Sequence, residues 1–165
     1  FANNFPLLAQ GLSKGIEGIE NVFSTIETQH MIDGHFKYKT QVEKNALIRL
    51  NQEPKNIEAR WTMTLLSILN NRPNEADKHL AILEEVLTYN AWPSIYRSIV
   101  NLANWNPWKA ERIAKAAYQN NKNIILAGII DLSGVLGGKV WRIPSAFNSI
   151  PKASNEIELL TKSNN

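Results

Sequence analysis

The sequence contains no cysteine, which excludes disulfide bonds, a thiol nucleophile, thiolate zinc sites and iron–sulfur clusters. Long hydrophobic runs are also missing. The longest, Ile124 to Leu136, has 13 residues and includes Asp131, whereas a membrane-spanning helix needs roughly 20. No stretch shows sustained alternation of apolar and polar residues, so β-strands are not indicated. We therefore expect a soluble chain built from helices, with no transmembrane segment.

The sequence also lacks a large excess of charge of one sign. The chain has 18 Lys and Arg against 15 Asp and Glu, and this small excess does not favour nucleic acid as a partner. With 165 residues, 44% of them apolar, the chain fits one domain with a sizeable core. The start at Phe1 and the lack of cysteine are compatible with an exported or periplasmic protein, or with a soluble domain of an anchored one. The compartment stays unknown.

Apolar residues recur at spacings of three and four, which is typical of one face of a helix. One such stripe predicts an N-terminal amphipathic helix and comprises Leu12, Ile16, Ile19, Phe23 and Ile26. Later helices are expected to start near Thr40, Asn56, Pro73, Pro93 and Pro107. The loops between them have only a few residues, which makes neighbouring helices antiparallel. The predicted fold is all-α and consists of stacked antiparallel helical hairpins.

The predicted helices show a repeat. Two series of small or apolar residues recur at intervals of 34 residues, namely Val42, Ala76 and Ala110, and Ala46, Leu80 and Ala114. A helix–turn–helix unit of about 34 residues is typical of tetratricopeptide repeats. The segment Pro54-Lys55-Asn56-Ile57-Glu58-Ala59-Arg60 resembles the Pro-x-Asn-x-Glu-Ala opening common in such repeats.

The chain thus resembles the tetratricopeptide repeat family, with degenerate repeats, over about Thr40 to Leu136. Arg60 stands where that family usually has Trp, and Asn71 and Trp105 occupy the inter-helix turn where Gly is preferred. The resemblance implies a right-handed superhelix of about 2.5 to 3 repeats. It divides the chain into an N-terminal helix and loop (1–39), a repeat domain (40–138) and an extension (139–165). In that extension Pro144 and Pro151 are expected to interrupt the helix, leaving a short terminal helix near 155–162.

The resemblance also implies a binding surface, because repeat proteins bind through a concave face lined by the first helix of each hairpin. The corresponding positions here are all apolar: Trp61, Leu65, Ile68, Ile95, Ile99, Leu102, Leu126 and Ile129. Such a groove suits an apolar or amphipathic segment of another protein, which makes the chain an adaptor, scaffold or chaperone. Its own N-terminal helix and a homodimer partner are alternative occupants. Trp92 and Trp108 are expected to be secondary surface contacts.

Signals for chemistry are weak in comparison. His30, Asp33 and His35 lie in one loop but offer too few fixed metal ligands, and His79 is expected at the surface among charged neighbours. Ser133 and Val140 replace essential residues of a phosphate-binding loop. No cofactor, metal or catalytic residue is therefore predicted, and the chain is expected not to be an enzyme. The alternative is an irregular helical protein that acts as an enzyme or as an immunity- or inhibitor-type protein.

Overall fold

The computed structural model describes residues 39–163, and this part of the chain is helical throughout, without a strand. The helices are α1 (Lys39–Gln52), α2 (Ile57–Leu69), α3 (Pro73–Val86), α4 (Trp92–Ala103), α5 (Pro107–Asn120), α6 (Ile124–Leu136) and α7 (Ile143–Ser163), with a 3-10 turn at Val140–Arg142 before α7. The all-α prediction is confirmed for these residues. The predicted stripe from Leu12 to Ile26 and the loop with His30 and His35 lie outside them.

The 34-residue interval is present in the helices themselves. The first residues of α1, α3 and α5 are 34 positions apart, and so are their last residues. Of the recurring side chains, Ala76 and Ala110 are completely buried, as are Leu80 and Ala114. Small side chains at these places let consecutive helices approach closely, and for this reason the repeat was visible in the sequence.

The turns inside the three hairpins also repeat. Asn71, Trp105 and Gly138 adopt the left-handed backbone conformation, with φ of 55°, 54° and 94°. After each of them, the next amide donates to a carbonyl five residues back: Arg72 to Ser67, Asn106 to Asn101 and Lys139 to Gly134, at 2.7 to 2.8 Å. This is the hydrogen bond of a Schellman helix end. The hairpins α2–α3, α4–α5 and α6–α7 therefore turn in the same way.

Asparagine side chains begin three helices, and for α2 and α5 the sequence predicts a helix start at these places. The Asn56 side chain accepts a hydrogen bond from the Ala59 amide at 2.9 Å, and the Asn106 side chain accepts one from the Lys109 amide at 3.3 Å. Asn123 caps α6 in the same manner, accepting from the amide two residues later at 2.8 Å. Each cap satisfies an amide that would otherwise lack a partner in the first turn.

Each helix packs on the next one along the chain, and α4 also contacts α6. Four apolar clusters follow from this order, and the smallest joins α6 to α7 around Ala146 and Ile150. One joins α1 to α2 around Met63, and one joins α3 to α4 around Leu80. The largest joins α4, α5, α6 and α7, with Ile95 and Leu126 at its centre. This stacking of helical hairpins is repeat-like and leaves the first helix of one hairpin beside the first helix of the next.

The C-terminal part corrects one expectation. Pro144 and Pro151 do not interrupt the helix. One helix runs from Ile143 to Ser163 in place of the short terminal helix that was expected. Pro144 lies in the first turn, where no amide donor is needed. Pro151 lies inside the helix but is exposed. The packing of α7 on α6 outweighs the cost of the proline.

Candidate functional site

The predicted groove positions fall into two groups in the structure. Four of the eight lie in the apolar core and are less than a tenth exposed: Leu65, Ile95, Leu126 and Ile129. Ile95, Leu126 and Ile129 belong to one cluster that holds α4, α5 and α6 together. Their side chains therefore stabilise the stack of hairpins and present little surface to a partner.

The other four are half-buried and lie on the two neighbouring first helices, α2 and α4. Trp61 and Ile68 flank the cluster between α3 and α4, and Trp61 meets the ring of Tyr96 edge-on at 5.4 Å between centroids. Ile99 and Leu102 flank the cluster around α6. These four side chains keep exposed surface and form what we call the α2–α4 row.

The two secondary contact candidates also differ. Trp92 is half-buried and lies against Tyr96, with ring centroids 5.8 Å apart. Burial raises the pKa of Tyr96, so this phenol stays protonated at any physiological pH. Trp108 is 64% exposed at the start of α5. Of these two tryptophans, Trp108 alone therefore offers most of its indole to another molecule.

Sequence reasoning missed a cleft on the side of the second helices. A cavity of about 360 Å³ lies between α3 and α5, beside the start of α4. Its charged lining consists of Glu84, Arg97, Lys109 and Arg112, and several asparagines complete it. The four ionisable residues come from three helices, so their proximity depends on the packing of the hairpins.

Ion pairs fix the charged wall of this cleft. Asp77 accepts hydrogen bonds from Arg97 at 3.0 Å, Asn101 at 2.7 Å and Lys109 at 2.8 Å. Burial alone would raise the pKa of Asp77, but these hydrogen bonds outweigh it and the pKa lies below its usual value. Arg97 also donates to both carboxylate oxygens of Glu84, at 3.2 and 3.3 Å. The pKa of Glu84 is nevertheless raised, because burial is the larger effect. The charges of this wall therefore compensate one another, and Arg112 is the lining cation that takes no part in these ion pairs.

His79 contradicts its predicted surface position, because it is only 9% exposed. Its Nδ1 atom lies 2.9 Å from Nη1 of Arg60, and its Nε2 atom lies 4.0 Å from the Glu75 carboxylate. The guanidinium can only donate, so Nδ1 accepts and the imidazole carries its proton on Nε2. Burial, and then the charge of Arg60, lower the pKa of His79, while Glu75 opposes them. Arg60, which stands where tetratricopeptide repeats usually have Trp, therefore pairs with His79.

A second buried polar cluster joins the last hairpin to α5. Glu111 is 4% exposed and pairs with Lys115 at 2.6 Å and Lys139 at 2.5 Å. Burial would raise the pKa of Glu111, but the hydrogen bonds from these lysines outweigh it and lower the pKa. Arg142 lies 3.7 Å from Glu111 and donates to Asp131 at 3.3 Å. Sequence spacing predicts only the Glu111–Lys115 pair, which lies four residues apart on one helix, because the other members come from three further segments.

The described helices offer neither a metal site nor a membrane span. Within residues 39–163, no group of three or more His, Asp and Glu side chains is placed to hold a metal ion. None of the helices described is both long and apolar enough to cross a bilayer.

Comparison of the chain with protein-family models, with curated proteins and with solved structures finds no match.

Proposed function

We propose that the chain is a protein-interaction module of the tetratricopeptide-like type, with its hairpins wound into a right-handed superhelix. One observation supports this proposal above all: helix ends and left-handed turns recur at intervals of 33 or 34 residues. Repeat stacks of this kind expose an extended face made by the first helices, and they bind other chains along it. The proposed activity is binding, as an adaptor, scaffold or chaperone, and not catalysis.

The proposed contact surface is the α2–α4 row. Trp61, Ile68, Ile99 and Leu102 are apolar, only half-buried, and carried by helices that the stack places near each other. An apolar or amphipathic segment of a partner protein would complete their burial, and a buried tryptophan is a frequent anchor of such interfaces. The N-terminal segment of the same chain or of a second copy is an alternative occupant.

Photo-crosslinking tests this proposal directly. A benzophenone amino acid at Ile99 should give one dominant adduct in cells, and the adduct peptide should carry apolar residues at helical spacing. The matched control is the same group at Tyr89, which is exposed in the loop between α3 and α4. Adducts at Tyr89 that equal those at Ile99, or adduct peptides without an apolar stripe, would show that the row is not the contact surface.

A second candidate function rests on the charged cleft between α3 and α5. Arg112 lines this cleft and forms no ion pair within the described part of the chain, so it is available to a small anionic ligand. We assign no enzymatic role to the cleft. Glu84 is the carboxylate that lines it, and both of its oxygens accept hydrogen bonds from Arg97.

A further inference from the structure

Three of the five tryptophans of this chain are exposed at one end of the hairpin stack. Trp105, Trp108 and Trp141 are 83%, 64% and 71% exposed. The first two lie at the turn between α4 and α5, and the third follows the turn after α6. Leu136 and Val140 are exposed beside the latter turn. We call this end of the molecule, formed by residues 104–115 and 136–145, the tryptophan tip.

Side-chain contacts show that the two turns form one surface. A Cβ atom on Gly137 would lie 3.3 Å from Nε1 of Trp108, so the turn after α6 touches the first turn of α5. Lys139 from the same turn pairs with Glu111 of α5. Helices α5 and α6 also pack along their length. Trp108 and the turn after α6 therefore belong to one surface, and the other exposed apolar side chains lie at or near the two turns that meet there.

Folding does not explain Trp105. It adopts the left-handed conformation at the position where the neighbouring hairpins have Asn71 and Gly138, two residue types that tolerate it. A bulky side chain in this conformation is strained, and Trp105 gains almost no burial in return. A residue that the fold neither prefers nor buries is expected to serve a contact outside the molecule.

The tip carries a small excess of positive charge. Its two segments contain five cations, and four of them are in ion pairs: Lys109 with Asp77, Lys115 and Lys139 with the buried Glu111, and Arg142 with Asp131. The fifth, Arg112, is exposed and forms no ion pair within the described part of the chain. The loop at the opposite end of the same stack, residues 84–91, instead has two glutamates and no Lys or Arg. The tip therefore suits an anionic partner.

We infer that the tryptophan tip docks on the surface of a lipid bilayer that contains anionic lipid. None of the three tryptophans lines either of the two cavities described in this structure, between α3 and α5 and between α1 and α2. Exposed side chains that do not line a groove fit a planar partner better than a peptide, which needs a groove. Indole rings favour the headgroup level, and nearby Lys and Arg attract anionic lipid.

Vesicle binding by the full chain tests this inference. The probes are vesicles of phosphatidylcholine alone and of phosphatidylcholine with about one-third phosphatidylglycerol, read by co-sedimentation and by tryptophan emission. We expect at least tenfold stronger partitioning to the anionic vesicles, weakening with salt. Trp105→Asn and Trp141→Ser should each reduce it at least fivefold, whereas Tyr89→Ser at the opposite end should leave it unchanged.

Three results would overturn the inference. The first is the absence of partitioning to either vesicle. The second is equal partitioning by the wild-type chain and both tryptophan variants with unchanged helical content. The third is binding of a single-stranded oligonucleotide that depends on Trp105 while vesicles are not bound, which would assign the tip to nucleic acid. Ile99→Asp should not change vesicle binding, so this test is independent of the proposed protein-binding row.

Discussion

At the scale of one residue, Trp105 shows that a turn can keep its backbone conformation although the side chain at that position is unfavourable for it. The three hairpins use the same Schellman turn, but the left-handed residue is Asn71, Trp105 or Gly138. Asparagine and glycine reach this conformation with little strain, whereas a tryptophan does not. The α4–α5 hairpin is therefore less stable than it would be with asparagine or glycine at this turn position.

Trp105→Asn is expected to raise the free energy of unfolding by about 1 kcal/mol, because it removes this strain and loses almost no buried surface. Urea unfolding followed by far-UV circular dichroism measures the change. The reciprocal control is Asn71→Ala, which should lower the free energy of unfolding by a similar amount. If Trp105→Asn were destabilising, the indole would have to contribute packing that its exposure does not show.

His79 gives the structure a pH-dependent element. Burial, and next the charge of Arg60, lower its pKa in the folded protein, so the folded state binds a proton less readily than the unfolded state. Its stabilising contribution is present above the unfolded pKa of about 6.5 and is lost as the pH falls through the lower folded value. Mild acidification is therefore expected to lower the stability of the folded protein.

The free energy of unfolding should therefore decrease between about pH 7.5 and pH 5.5. His79→Gln should remove the part of this decrease that comes from His79, since a glutamine oxygen can still accept from Arg60 but does not titrate. Urea unfolding at several pH values provides the measurement. An identical pH dependence in the variant and the wild type would show that His79 is protonated as easily in the folded state as in the unfolded state.

At the scale of elements, the last hairpin is held together by a close approach of α6 and α7. A Cβ atom on Gly128 would lie 2.5 Å from Cβ of Ala153 and 3.1 Å from the Ser149 carbonyl oxygen. Both contacts are with atoms that the helix holds in place. Gly128 therefore lets the two helices approach, and this contact outweighs the usual cost of glycine inside a helix.

Gly128→Ala should lower the free energy of unfolding by about 1 to 3 kcal/mol through overpacking, although alanine is the better helix former. Ala153→Gly in the same chain removes the clashing methyl group and should restore part of the loss. A double-mutant cycle by urea unfolding measures the coupling between the two sites. Additive effects would mean that α6 and α7 do not meet at these residues.

The elements also show which parts of the fold a sequence can predict. The starts of α2, α5 and α6 were predictable because each has an asparagine cap followed by apolar residues at helical spacing. The continuity of α7 was not predictable. The cost of Pro151 depends on whether the freed carbonyl faces water and on how much α7 buries against α6, and neither is encoded locally.

For the whole molecule, the 34-residue period was visible because small residues such as Ala76 and Ala110 recur where helices must pack closely. The polar interior was not visible. Glu111 takes partners from Lys139 and Arg142, which are brought to it by the folding of the last hairpin. The packing of neighbouring helices also decided which of the predicted groove residues are buried in the core and which keep exposed surface. A helical phase gives the face of a helix, but the neighbouring helices decide how much of that face stays exposed.

The central claim is that the α2–α4 row serves a partner and that the fold does not depend on it. Urea unfolding of Ile99→Asp against Ile95→Asp tests this most directly, because both residues lie on α4 and Ile95 is in the core. Both variants place the same charge on the same helix. The account predicts a folded Ile99→Asp chain that loses no more than about 1 to 2 kcal/mol, and severe destabilisation in Ile95→Asp. Unfolding of both variants to the same extent would make Ile99 a core residue and would contradict the account.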